Sequence, residues 1–286
     1  MYKPVHSFQN VSRRGEDFKV GELIVRRGTR IKPWHIGALA SLNIDRVKVF
    51  LKPKIGILST GSELVELESE LKPGKIVNSS KTMLKALINS CGGVPVDLGI
   101  VEDDVKQIAD KIEEGTKNCD ILITTGGTSI GRGDLVPTAV NLLGKVLVHR
   151  LAMRSGKPTG FGLVKEKLVF MLSGFPVVAL IGFNLFVKPA INSLLCTTSE
   201  PSPRIVGRLT RRVASLSAMR SCVRVKVVRS GDSYIVEPLR LTGSGLISTL
   251  TEANGLLVIP ENIEGYNEGE EIEVELFDPV INIEIE

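Results

Sequence analysis

Glu63, Asp103 and Asp134 each stand a few residues beyond an apolar run, and Arg150, Arg154 and Lys157 crowd into one glycine-rich stretch, HRLAMRSGKPTGFG. Loop carboxylates of this kind suit a hard cation such as Mg2+, which takes a few carboxylates and keeps its remaining positions for water and phosphate oxygens. Guanidinium and ammonium groups suit phosphate or another oxyanion. Between the two sets lies ILITTGGTSIGRGD, residues 121–134. Its β-branched run stops at Gly126 and Gly127, and a periodic apolar segment begins at Leu135, which reads as a buried strand, a tight turn and a helix start. Glycines there let backbone amides approach an anion. An ordinary strand-to-helix loop has the same pattern, and helix N-capping explains Asp103, Asp104 or Asp134 equally well one at a time.

The elements that must position these residues alternate. Ile55–Leu58, Val94–Ile100 and Ile121–Thr125 read as strands, and Lys81–Asn89 and Val105–Glu114 as helices. Repeated βαβ units imply an α/β fold: a mostly parallel sheet with helices on both faces, three layers in all, whose ligands bind at the carboxyl ends of the strands. That rule gathers Ser59–Glu63, Val101–Asp104, Gly126–Asp134 and the turn Leu172–Pro176 into one crevice. The uncharged run Leu168–Val187 is long enough to cross a bilayer, but Ser173, Gly174 and Pro176 break it into a strand, a turn and a core helix. A single membrane span is the lesser alternative.

The 286 residues suffice for more than one domain. Residues 1–52 read as a small β-rich segment punctuated by Gly15, Gly21 and Gly28, residues 53–197 as the α/β domain, and residues 203–286 as a small antiparallel β domain with period-two alternation. In that last domain Arg211, Arg212, Arg220 and Arg224 form either a basic face or protected strand edges. A net charge of +4 and 5% aromatic residues give no footprint for nucleic acid. Cys91, Cys119, Cys196 and Cys222 fit no metal or disulfide spacing and point to a reducing cytoplasm, and the N-terminus lacks a secretion signal.

These motifs, RRGED at 13–17, STGSEL at 59–64, LKPGKI at 71–76, TTGGTSIGRGD at 124–134, SGKPTGFG at 155–162 and LSGFPVVA at 172–179, come in an order and spacing that resembles the molybdopterin molybdenumtransferase family. That family comprises the MoeA proteins of bacteria and archaea and the E domain of gephyrin. The resemblance implies molybdenum cofactor biosynthesis. Adenylylated molybdopterin would be bound, molybdate inserted and AMP released in a Mg2+-dependent step, by a cytoplasmic homodimer or a mixed dimer with a longer homologue. It implies catalytic roles for Asp17, Glu63, Asp103 and Asp134, the last three also as metal ligands. Thr60, Gly61, Gly126, Gly127, Thr128, Ser129, Gly131, Ser173, Gly174 and Pro176 would bind molybdopterin, and Arg150, Arg154 and Lys157 the oxyanion.

The chain departs from the family pattern at Ser62, Asn78, Ser155, Ser173 and Phe175. It also begins where the family's middle begins, without about the first hundred residues. The alternative expectation is therefore a non-catalytic molybdopterin carrier or regulatory paralogue.

Overall fold

A computed structural model describes residues 4–127, 134–197, 201–239 and 245–282. The chain divides into two compact units, Met1–Phe50 with Cys196–Thr198, and Leu51–Leu195 with Ser199–Glu286.

The described residues of the first unit contain no strand. Among its described residues the one regular element is helix α1 (Pro33–Ser41), with Pro33 at its first position and the Lys32 amide donating to His35 Nδ1 at 3.1 Å. The strands expected around Gly15, Gly21 and Gly28 are tight turns instead, because each glycine takes a positive φ, of 75°, 83° and 84° respectively. The amides of Glu16, Glu22 and Thr29 donate to carbonyls three residues back, at Arg13, Lys19 and Arg26. Strands need a neighbour for their ladder bonds, and no described side chain of residues 4–50 is buried.

The second unit opens with β1 (Lys54–Thr60), the short parallel pair β2 (Leu64–Val65) and β3 (Ile76–Val77), and α2 (Ser79–Ser90). There follow β4 (Val94–Val101), α3 (Val105–Asn118), β5 (Ile121–Thr125), α4 (Leu135–Leu143), β6 (Gly144–His149), β7 (Met153–Arg154), β8 (Gly160–Val164) and β9 (Lys167–Leu172). The central sheet runs β4-β1-β5-β9-β8-β6. Its first four strands are parallel, and β8 runs against both neighbours. Gly160 and Gly162 explain where that insertion fits, since a Cβ on either would stand 2.5 or 2.6 Å from a carbonyl of the β6 region.

Alternation along the strands builds the three layers. Ile55, Ile57, Ile121 and Ile123 face one core with Leu84, Ile88 and Phe183, while Leu58 and Leu122 face the other with Ile108, Ile112, Val136 and Val140. Each such side chain is fully or nearly fully buried, which contributes about 1.5–3 kcal/mol apiece. The long apolar run divides as expected into β9 and a helix from Pro176. That helix comprises α5 (Pro176–Gly182), a wide turn at Phe183–Val187 and α6 (Lys188–Leu194). Pro189 accounts for the widening: it donates no hydrogen bond, and its ring displaces the carbonyl four residues back. The 19 residues Pro176–Leu194 pass for a membrane span by length and composition, yet Val177, Ile181, Phe183, Val187 and Ile191 are buried in the protein's own core.

The C-terminal strands are β10 (Arg204–Leu209), β11 (Val213–Ala214), β12 (Arg220–Ser230), β13 (Ser233–Pro238), then helix α7 (Ser248–Glu252), β14 (Gly255–Ile259), β15 (Gly265–Tyr266), β16 (Glu271–Leu276) and β17 (Ile281–Asn282). Five of them run β13-β10-β16-β14-β12, and β12 pairs back onto β13 through the hairpin at Gly231, so this mainly antiparallel sheet closes on itself. Closure removes the open edges that strand arginines would otherwise have to protect. Arg224 is in fact buried, and burial lowers its guanidinium pKa, so it belongs to no solvated basic face. β7 pairs with β12 at Met153–Arg220 and Arg154–Ser221, and Met153, Val177, Ile181 and Cys222 share a small core.

Candidate functional site

The carboxyl ends of β1, β5 and β9 meet in a crossing of glycines and small hydroxyl side chains. Thr60, buried at the end of β1, donates from Oγ1 to the Thr125 carbonyl at 3.4 Å, and Thr125 donates to Ser59 Oγ at 3.1 Å. The Gly126 amide reaches the Leu172 carbonyl at 3.2 Å. Glycine is required at this crossing: a Cβ on Gly126 would stand 2.3 Å from the Thr60 carbonyl oxygen, and one on Gly127 2.8 Å from Thr60 Oγ1. Both take positive φ, 89° and 61°. Gly174 completes the arrangement, since its Cβ position lies 3.6 Å from Gly126 Cα, and its carbonyl accepts a bond from Ser80 Oγ at 2.7 Å. Ser173 is buried and accepts from the Phe175 amide at 3.2 Å, fixing the turn into Pro176, the first residue of α5. The structure thus brings Thr60, Gly126, Gly127, Ser173, Gly174 and Pro176 together. Thr128, Ser129 and Gly131 lie outside the described residues.

Helix α4 starts on this crossing, with the Val136 amide bonded to the Gly127 carbonyl at 3.4 Å. Asp134 holds the N-cap position, but its carboxylate makes no capping bond. It turns instead to the end of β6, where Arg150 donates to Oδ2 at 3.0 Å and His149 Nε2 stands 3.8 Å from Oδ1. Both Asp134 Oδ1 and His149 Nε2 are screened from solvent without a hydrogen-bond partner among the described residues. An orphaned carboxylate oxygen facing an orphaned imidazole nitrogen is costly in a finished core. It is what a group reserved for a ligand looks like.

The other acids are placed differently. Asp104, and not Asp103, caps α3, accepting from the Gln107 amide at 2.8 Å; Asp103 is exposed beside it. Glu63 is exposed and folds back on its own turn, its carboxylate 2.7 Å from the Cβ position of Gly61. Among the described residues no three His, Cys, Asp or Glu side chains are grouped to hold a metal ion. Glu63, Asp103 and Asp134 therefore do not assemble the Mg2+ site expected of them, because Asp134 is engaged by Arg150 and the other two carboxylates project into solvent. Among the described residues these three carboxylates do not by themselves gather round a cation.

Among the cations, Arg150 is committed to Asp134, at a positive φ of 66°. Arg154 is half-buried on β7, and Lys157 is exposed in the following turn, its carbonyl accepting from the Leu151 amide at 2.9 Å. Asp17 is exposed in a turn of the first unit.

A second charged cluster escapes the sequence reading. Lys81, 3% exposed in the first turn of α2, donates to Glu66 at 2.5 Å and lies 3.0 Å from Asp97, which Lys85 also meets at 2.7 Å. Burial alone would lower the Lys81 pKa, but the bonds to Glu66 and Asp97 outweigh it and hold it raised. Burial likewise works against the Asp97 anion, yet Lys85, Lys81 and the Gly99 amide bring its pKa down to about 2. The one signal in the sequence is the spacing of Lys81 and Lys85, four apart on one helical face.

Comparison with known proteins gives three matches that together cover most of the chain. The probable molybdopterin binding domain matches residues 56–193, the MoeA C-terminal region (domain IV) residues 206–277, and the MoeA N-terminal region (domain I and II) residues 2–43. A putative molybdopterin biosynthesis protein of Methanocaldococcus jannaschii is 40% identical over 96% of this chain, which spans 68% of that relative. The molybdopterin molybdenumtransferase of Bacillus subtilis is 34% identical over 93% of this chain, which spans 62% of that enzyme. The crystal structure of a MoeA protein from Pyrococcus horikoshii superposes with a TM-score of 0.83 at 35% identity, covering 98% of this chain and 68% of that one.

Proposed function

Because the chain belongs to the MoeA family of molybdopterin biosynthesis proteins, we propose that it binds adenylylated molybdopterin at the strand-end crossing and inserts molybdate with release of AMP. The observation that carries this reading is the Asp134 carboxylate, held by Arg150 beside His149 with one oxygen unpartnered, on a helix that starts from Gly127.

The glycines let the ends of β1, β5 and β9 pack closely together, so a planar pterin with its phosphate would meet a surface of small side chains and backbone at the strand ends. Helix α4 presents its positive end to the anionic part of that ligand. Arg154 and Lys157 supply counter-charge to the incoming molybdate, and Arg150 orients the Asp134 carboxylate. The contribution is positioning and charge compensation of two oxyanions. Mg2+ is given no step, since its expected ligands do not meet.

The carrier reading has no observation of its own to favour it. A cytoplasmic homodimer, or a mixed dimer with a longer relative, is the assembly we propose; the four cysteines are unpaired, as a reducing compartment requires. Incubating the purified chain with adenylylated molybdopterin and molybdate should release AMP and yield the molybdenum cofactor. Tight binding without AMP release would reinstate the carrier, and no binding would overturn the assignment of the crossing.

A further inference from the structure

A cavity of about 420 Å3 opens at the opposite end of the central sheet, below the amino ends of β1, β5 and β9. Lys52, Lys54, Lys117 and Lys167 line it together with a single acid, Asp120. Four cations against one anion leave a formal +3. Asp120 is moreover already spent: Oδ2 accepts the Lys54 backbone amide at 2.8 Å, and Oδ1 stands 3.8 Å from Lys167 Nζ. Among the described residues no carboxylate lies within ion-pairing distance of Lys52, Lys54 or Lys117. Pro53 and Leu194 give the cavity an apolar wall.

Lysines scattered on a convex surface are solvated and ask for nothing. Gathered round a concavity with one apolar side, they focus a positive potential that Asp120 and, at longer range, Glu113 offset only in part. The volume falls within the range of small-molecule sites, about 300–1000 Å3. We propose that this cavity binds a small organic phosphate, its phosphate among Lys52, Lys117 and Lys167 and its apolar body against Pro53 and Leu194. The site is separate from the strand-end crossing, being built from the first residues of the same strands, and does not depend on the function proposed for the crossing.

The test is calorimetric titration of the full chain with phenyl phosphate at low ionic strength, with benzyl alcohol as the uncharged control. The native chain should bind phenyl phosphate with an affinity that falls as salt is added, and benzyl alcohol should bind at least tenfold more weakly. Lys117→Glu and Lys52→Glu alter exposed side chains, so the fold should survive, as circular dichroism would verify. Each should weaken binding at least tenfold, whereas Asp134→Asn should leave it unchanged. Binding that survives both lysine reversals, or that Asp134→Asn removes, would overturn the proposal. Equal binding of benzyl alcohol would do the same. A hexaglutamate peptide that binds more tightly and displaces phenyl phosphate would reassign the cavity to an acidic peptide.

Discussion

Two clusters in one α/β domain use the same ingredients to opposite ends. Around Lys81, one buried ammonium meets Glu66 and Asp97, Lys85 closes the outer side, and the Gly99 amide takes up Asp97 Oδ1 at 2.8 Å. Around Asp134, Arg150 is bonded but Oδ1 and His149 Nε2 face each other across 3.8 Å with no hydrogen-bond partner among the described residues. A closed network holds a helix to a sheet. An open one keeps two unspent polar atoms at the place proposed for the substrate, and the difference between structural and functional charge lies in that remainder.

The comparison can be broken most forcefully at Lys81. Replacing it with alanine removes the charge-assisted bonds to Glu66 and Asp97 while Lys85 stays on Asp97, and should lower stability by about 3 kcal/mol in urea denaturation, at about 1.5–3 kcal/mol for each bond to a charged group. A loss below about 1 kcal/mol would mean that solvent compensates the cluster. Gly126→Ala comes next. It sets a methyl 2.3 Å from the Thr60 carbonyl at a φ of 89°, and should cost about 2–3 kcal/mol from overpacking and backbone strain together. Unchanged melting behaviour would show that the crossing is looser than its contacts imply.

The open cluster should respond in rate rather than stability. His149→Phe keeps the ring and removes the nitrogen facing Asp134; AMP release should slow about tenfold, equivalent to about 1.4 kcal/mol, with little change in melting temperature. His149→Gln, which retains a polar end, should recover part of that loss. The smallest effect concerns acid stability. Asp97 has its pKa lowered from 3.8 to about 2 in the folded protein, so its contribution is fully present above the unfolded value and disappears as the pH falls from about 4 to about 2. Asp97→Asn should flatten that part of the acid-unfolding profile, and an unaltered profile would assign the acid sensitivity to other carboxylates.

How much of this is legible in the sequence depends on the range of the interaction. Ile121–Thr125 declares itself as a strand because burial on both faces demands an unbroken β-branched run, and Pro176 marks its helix because only the first turn tolerates proline. Loop glycines at strand ends foretell the crossing, since topology brings those ends together. The N-terminal glycines mislead: they mark turns, and whether strands lie between turns depends on a pairing partner that no local pattern reveals. β8 hides because an antiparallel insertion in a parallel sheet has no period of its own, though Gly160 and Gly162 mark where backbones nearly touch. The pairings Asp134–Arg150 and Lys81–Asp97 each span 16 residues. They exist only once β6 and β4 have taken their places beside α4 and α2. A motif can nominate Asp134, but which neighbour holds it, and that Asp103 is left outside in solvent, follow from the fold.

The most direct test is single-turnover AMP release by Asp134→Asn against the native chain, with adenylylated molybdopterin bound in both. Asparagine keeps the size and loses the charge that Arg150 orients, so release should fall by about a hundredfold or more, the scale of removing one preorganised electrostatic group, while ligand affinity and melting temperature change little. Release at the native rate would contradict the account, and leave the open cluster as a structural feature without a part in the chemistry.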